Sequence, residues 1–255
     1  MPENSPVLLV IAHGSRDPRH GATVRALTAR LRSLRPGLRV ETGFLEFDSP
    51  SVHQVLDRLA RDGVRDVVAQ PLLLTRAFHA KSDIPAVLHE ASVRHPWLRI
   101  RQAGVLGPSP LLTDALERRL YEAGLGPDDK RSTGVVLASA GSSDPEAIAV
   151  IAGIAREWRR TGWCAVRPAF ASASLPRTED VVRALRADGV RRVVVAPYVI
   201  APGRLPDRIA AGARESGADL CAGVLGPAPE LARLVLERFA QSCSRTAPDT
   251  LARSA

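Results

Sequence analysis

The stretch LLVIAHGSRDP at residues 8–18 returns as VVLASAGSSDP at residues 135–145. Three further phrases return in the same order. FLEFDSPSVHQVLDRLARDGV (44–64) comes back as FASASLPRTEDVVRALRADGV (170–190). GVRDVVAQPLLL (63–74) comes back as GVRRVVVAPYVI (189–200), and QAGVLGPSP (102–110) as CAGVLGPAP (221–229). Four landmarks in one order describe a duplicated unit, so the fold must be one that can be built twice. The polar, pattern-breaking stretch GLGPDDKRST between the copies reads as the connection. The expected organisation is a first domain over 1–125, a linker at 126–132, a second repeat over 133–243 and a tail at 244–255.

Within each half, short aliphatic runs alternate with helical patterns. In the first half, strands are predicted near 7–12, 40–47, 66–74 and 98–103. After the first of them, Asp17 can cap a helix whose first position is Pro18. Val24, Leu27, Leu31 and Leu34 then recur at helical spacing. The next helix carries Val52, Val55, Leu56 and Leu59 on one face and stops at Gly63. Continuous aliphatic strands separated by helices imply a parallel sheet covered on both faces. The predicted fold class is therefore α/β, with two tandem doubly wound three-layer α/β/α domains, each on a parallel four-stranded sheet.

Composition narrows the function classes. Among 255 residues, 45% are hydrophobic, which suffices for a real core. No apolar run approaches the ~18 residues of a membrane span. MPENSPVLLVIAHG has neither a basic n-region nor a small-residue cleavage site, so a cytoplasmic location is expected. Cys164, Cys221 and Cys243 form no CxxC pair, which argues against a disulfide framework or a cysteine metal site and suggests small buried hydrophobes. The net charge of +8 comes almost wholly from arginine, Lys81 and Lys130 being the only lysines. No basic block is interleaved with aromatics, so neither nucleic acid nor membrane is an expected partner. A polyanionic small molecule fits the charge.

In open parallel sheets, ligands bind outside the carboxyl ends of the strands. His13 ends the first strand, Glu46 lies near the end of the second, and His79 follows the third in TRAFHAKSD, at equal intervals along the chain. Two imidazoles and a carboxylate suit a first-row divalent ion with positions left open. The twin half carries Ala140 at the position of His13, Ser172 at that of Glu46 and Leu205 or a neighbour at that of His79. The fold alone therefore does not require the three. An ionised Glu46 within an apolar strand would need a metal or a basic partner. His20, His53, His89 and His95 sit on helices or in a helix-end loop and are expected to be solvated.

AHGSRDP, FLEF and PLLLTRAFHAKSDIP together resemble the sirohydrochlorin chelatases, the CbiX/SirB family of class II chelatases, whose long form is also a fused duplicate. The resemblance covers nearly the whole chain. It implies a chelatase-like fold and ATP-independent insertion of Co²⁺ or Fe²⁺ into sirohydrochlorin, for cobalamin or sirohaem. It also implies that His13 and His79 handle the metal and that Glu46 assists. The ion is substrate, with no permanently bound cofactor. Arg16, Arg76, Lys81 and Arg204, with Ser15, flank the expected site and are candidates for the substrate's carboxylates. The second half lacks histidine, so one site is expected, with the second lobe as the far wall of a cleft, in a monomer. The same residues would serve a non-catalytic metal or tetrapyrrole carrier. RHG at 19–21 raises a histidine phosphatase, but that motif should end the first strand and here falls inside the first helix.

Overall fold

Six successive aliphatic residues, Val7–Ala12, are buried along their whole length and form strand β1. The structure is a computed structural model describing residues 5–76 and 82–244. His79, Lys81 and all of the tail but Ser244 lie outside those residues.

Asp17 caps helix α1 (Pro18–Leu34), its carboxylate accepting the Arg19 N–H, and Pro18 opens the helix as expected. Val24, Leu27 and Leu31 are buried, whereas Leu34, at the last position, is 49% exposed. There follow β2 (Val40–Phe44), α2 (Val52–Arg61), β3 (Asp66–Pro71), α3 (Asp83–Arg94), β4 (Arg99–Gln102) and α4 (Pro110–Glu122). A 3₁₀ turn at Pro127–Ser132 leads into the second half. It repeats the order with β5 (Thr133–Ser139), α5 (Pro145–Arg159), β6 (Ala165–Phe170), α6 (Thr178–Ala187), β7 (Arg192–Tyr198), α7 (Arg204–Glu215), β8 (Leu220–Cys221) and α8 (Pro229–Ser244). Strands β2 and β3 stop earlier than their apolar patterns suggest. Beyond Phe44 the chain turns sharply, with Phe47 at φ +62°, and β3 ends at Pro71.

Two four-stranded sheets result, in the orders β2-β1-β3-β4 and β6-β5-β7-β8. Every pairing is parallel, with Leu8 beside Val40 and Val68 in the first sheet and Val136 beside Arg167 and Val195 in the second. Alternation along β1 divides its side chains. Val7, Leu9 and Ile11 pack with Val55, Leu59, Ile84 and Leu88 of α2 and α3. Leu8, Val10 and Ala12 face a central core shared by both halves, which also holds Leu137, Val194 and Tyr198. Val136, Ala138 and Ile209 belong to a third cluster under α6 and α7.

The central core arises because the last helix of each half crosses over. α4 packs against β7 of the second sheet, α8 packs against β3 and α1 of the first half, and α4 and α8 pack on each other. Leu231, Leu234, Val235 and Phe239 of α8 are buried in this way. Each such side chain contributes about 1.5–3 kcal/mol. Reciprocal arginines fasten the exchange. Arg119 of α4 donates to the Leu225 carbonyl at 2.9 Å, and Arg238 of α8 donates to Val105 O at 3.2 Å and Leu106 O at 3.3 Å. Among the described residues, no helix is long and apolar enough to cross a membrane.

Candidate functional site

In each sheet the chain leaves the first strand for one side and later returns to its other side. The loops at the carboxyl ends of β1 and β3, and of β5 and β7, therefore diverge and leave a crevice. A cleft of about 420 Å³ lies there, lined by Gly14, Ser15 and Leu72–Thr75 from one lobe and by Ser139–Ser142 and Tyr198–Pro206 from the other. Its size falls in the usual range for small-molecule sites.

The turn at the end of β1 is built from backbone. Leu45 N–H donates to Ala12 O at 3.0 Å and Glu46 N–H to His13 O at 2.9 Å, so His13 and Glu46 are hydrogen-bonded neighbours. Gly14 sits at φ +94°, and a Cβ there would lie 1.7 Å from Glu46 O, which only glycine permits. The Ser15 hydroxyl accepts the Asp17 N–H at 3.0 Å and holds the turn, while Asp48 Oδ2 accepts the Ser15 N–H at 3.1 Å.

Side chains on this frame differ in part from the sequence expectation. His13 is half-buried, and its ring lies parallel to that of Phe47 with centroids 6.4 Å apart. Glu46 is exposed, not embedded in an apolar strand. It lies two residues beyond the end of β2, where the carboxylate reaches water. His13 and Glu46 are not themselves among the cleft-lining residues; they immediately adjoin them at Gly14 and across the His13–Glu46 hydrogen bond. Ser15 and Arg204 do line the cleft. Arg16 is exposed, with its guanidinium 5.2 Å from the Phe47 ring centre. Arg76 is exposed beside the lining residue Thr75. Among the described residues, no three His, Cys, Asp or Glu side chains gather to hold an ion; His79 and Lys81 fall outside that set.

Three residues escaped the sequence reading. His20, in the first turn of α1, lines the cleft and is mostly buried, with Nδ1 3.9 Å from Asp48 Oδ2. Burial, opposed by the Asp48 carboxylate, moves its pKa below the ordinary histidine value, which favours the neutral ring. Its signal was position: the first turn of α1 stands at the carboxyl edge of the sheet. Tyr198 is the second. It is 2% exposed at the cleft floor, and burial pushes its hydroxyl well above the ordinary tyrosine value. The third is Phe47, which is 58% exposed. Of the remaining histidines, His89 is exposed and His53 pairs with Glu90 at 3.0 Å, but His95 is largely buried against Asp57 at 2.7 Å. Cys164 is exposed, contrary to a core role. Across the lobes, Arg19 of α1 meets Asp207 of α7 at 2.6 Å, an exposed pair of small energetic weight.

The CbiX family model matches residues 7–123 and again 134–242. The chain belongs to the CbiX family. It is 31% identical over 204 residues to a sirohydrochlorin cobaltochelatase of Priestia megaterium, a match spanning 79% of this chain and 66% of that protein. It is 28% identical over 206 residues to a sirohydrochlorin ferrochelatase of Bacillus subtilis, spanning 79% of this chain and 77% of the relative. The fold is similar to the solved structure of SirB from Bacillus subtilis with Fe³⁺, with a TM-score of 0.83, 25% identity and coverage of 94% and 96% of the two chains. The fold class expected from the sequence, two tandem α/β/α domains on parallel four-stranded sheets, is the one observed.

Proposed function

We propose that this protein is a metal chelatase, a lyase that inserts Co²⁺ or Fe²⁺ into sirohydrochlorin without ATP, in cobalamin or sirohaem biosynthesis. The observation that carries the reading is the unequal furnishing of two equivalent strand ends. His13 and Glu46 stand at one, and Ala140 and Ser172 at the other, in a family whose curated relatives are sirohydrochlorin chelatases.

Insertion replaces two pyrrole protons with one dication. The site must hold the ion weakly enough to release it and must accept the protons. Neutral imidazole suits both tasks. On this reading His13 and His79 meet the ion and take the pyrrole protons. Glu46, exposed and hydrogen-bonded through its backbone to His13, balances charge and passes protons to water. General-base assistance of this kind is worth ~10²–10⁴ in rate. Arg16, Arg76, Lys81 and Arg204 engage the carboxylates of the substrate, with Ser15 shaping the turn between them. The enzyme is cytoplasmic and works as a monomer, since one chain supplies both walls of the cleft.

The test is anaerobic metallation of sirohydrochlorin, followed by absorbance, with Co²⁺, Fe²⁺ and Ni²⁺ side by side and protein substoichiometric to the macrocycle. Many turnovers with Co²⁺ or Fe²⁺, lost in His79→Ala with the fold retained, are expected. A single stoichiometric uptake would instead make the protein a carrier, and undiminished turnover in His79→Ala would remove that residue from the mechanism.

A further inference from the structure

Phe47 is an aromatic ring held in water by a backbone that disfavours it. Its side chain is 58% exposed and its φ is +62°, a left-handed conformation unfavourable for a non-glycine residue. The turn itself explains the backbone, because Ala173 at the matching place in the second lobe has φ +56°. The turn does not explain the ring. Where the first lobe has His13, Arg16 and Phe47, the second has Ala140, Ser143 and Ala173 on the same backbone path. The three large side chains are present in one lobe and all absent from the other, and in the first lobe Phe47 neighbours both of the others. The Phe47 ring is parallel to the imidazole, within the usual range for aromatic pairs, and the Arg16 guanidinium lies 5.2 Å from its centre.

We propose that Phe47 is a positioning residue for metallation, fixing the plane of the His13 imidazole and bracing Arg16 beside it; this rests on the chelatase reading of the site. The lone pair of an imidazole nitrogen lies in the plane of its ring. A histidine that passes an ion to the centre of a flat macrocycle must therefore stand upright on that macrocycle. The torsion that turns the ring about its Cβ–Cγ bond is broad and weakly held. A flat ring parallel to the half-buried imidazole narrows that torsion. Phe47 then meets the macrocycle by its edge, a favourable approach to a π face. Arg16, resting on Phe47, is kept beside the imidazole, where a guanidinium can fork onto a peripheral carboxylate of the substrate.

The test compares Phe47→Ala, Phe47→Leu and Phe47→Tyr in the full chain. Four quantities are read: kcat and KM for sirohydrochlorin metallation with Co²⁺, the affinity for Co²⁺ alone by titration of its visible absorbance, and Tm. Phe47→Ala places in the first lobe what the second already carries, so Tm is expected to hold. Loss of an orienting neighbour typically costs ~10–100-fold in metal affinity or activity. A fall of at least about 10-fold in kcat and in Co²⁺ affinity is expected for Ala and Leu, with Tyr close to the unmodified protein. Leu performing as well as Tyr would overturn the proposal, because bulk rather than a plane would then suffice. A rise in KM with unchanged kcat and Co²⁺ affinity would also overturn it, making the ring a substrate contact. Should the unmodified protein fail to metallate sirohydrochlorin, the chelatase reading falls, and the Co²⁺ titration alone still decides whether Phe47 orients His13.

Discussion

The turn after β1 and the turn after β5 are one piece of backbone carrying two sets of side chains. Glu46 N–H meets His13 O at 2.9 Å, and Ser172 N–H meets Ala140 O at 3.0 Å. Ser15 and Ser142 each accept an N–H two residues on, at 3.0 Å. Asp17 and Asp144 each cap the following helix. What folding needs is thus present twice: a glycine, a hydroxyl and a capping carboxylate. What folding does not need is present once. His13, Arg16, His20, Glu46 and Phe47 correspond to Ala140, Ser143, Ala147, Ser172 and Ala173, whereas Asp48 and Ser174 both accept the N–H of the serine in their turn. A duplicated protein in this way separates the requirements of its scaffold from those of its chemistry.

The largest effect should come where the lobes are not separable. Deleting α8 removes Leu231, Leu234, Val235 and Phe239 from a core they share with β3, about 1.5–3 kcal/mol each. Together they rival the whole stability of a domain. The truncated chain should lose both lobes, seen as loss of the cooperative transition by circular dichroism; a surviving folded first half would show that the exchange is dispensable.

Side-chain exchange between the two turns comes next. His13→Ala should lower sirohydrochlorin turnover by ~10²–10⁴ with Tm unchanged. Ala140→His should leave both alone. Equal losses from the two would erase the asymmetry on which the functional reading stands.

Glycine tests the shared part. Gly14→Ala and Gly141→Ala place a Cβ 1.7 Å from Glu46 O and 1.9 Å from Ser172 O, at φ +94° and +91°. Each should destabilise by roughly 3 kcal/mol or more, measured by denaturant titration, and by similar amounts. A large difference would mean that the two turns are held differently.

The smallest effect is a pH dependence confined to one lobe. Burial lowers the folded-state pKa of His20 below its unfolded value of ~6.5. Between those two values the unfolded chain binds more protons, so stability falls as pH drops below about 6.5. His20→Gln should remove that part of the acid loss and change nothing above pH 7.5. Parallel stability–pH curves for the two proteins would show that His20 titrates alike folded and unfolded.

Much of the architecture could be read in advance because its causes are local. Aliphatic runs, Asp17 before Pro18, and glycines at the turns act within a few residues, and duplication extended each reading to the second half. Errors arose where exposure depends on distant parts of the chain. Glu46 looked embedded in FLEF, but the strand ends at Phe44, and two further residues carry it into water. His20 looked like a helix-surface residue, but the first turn of α1 packs beside Asp48 at the cleft. The strand expected over 40–47 ran through Phe47, because nothing local to it reports a left-handed turn.

The amino-acid sequence by itself determined that there are two α/β units, where their first helices begin, and which of two matching strand ends carries imidazole and carboxylate. These follow from periodicity, capping and residue identity, which act at short range. Only the tertiary structure decided that α4 and α8 trade places, that the cleft opens between the β1–β3 and β5–β7 ends, and that the Phe47 ring lies parallel to that of His13 and beside the Arg16 guanidinium. Those facts depend on which apolar faces meet across the chain, and α4 and α8 are buried against the opposite half.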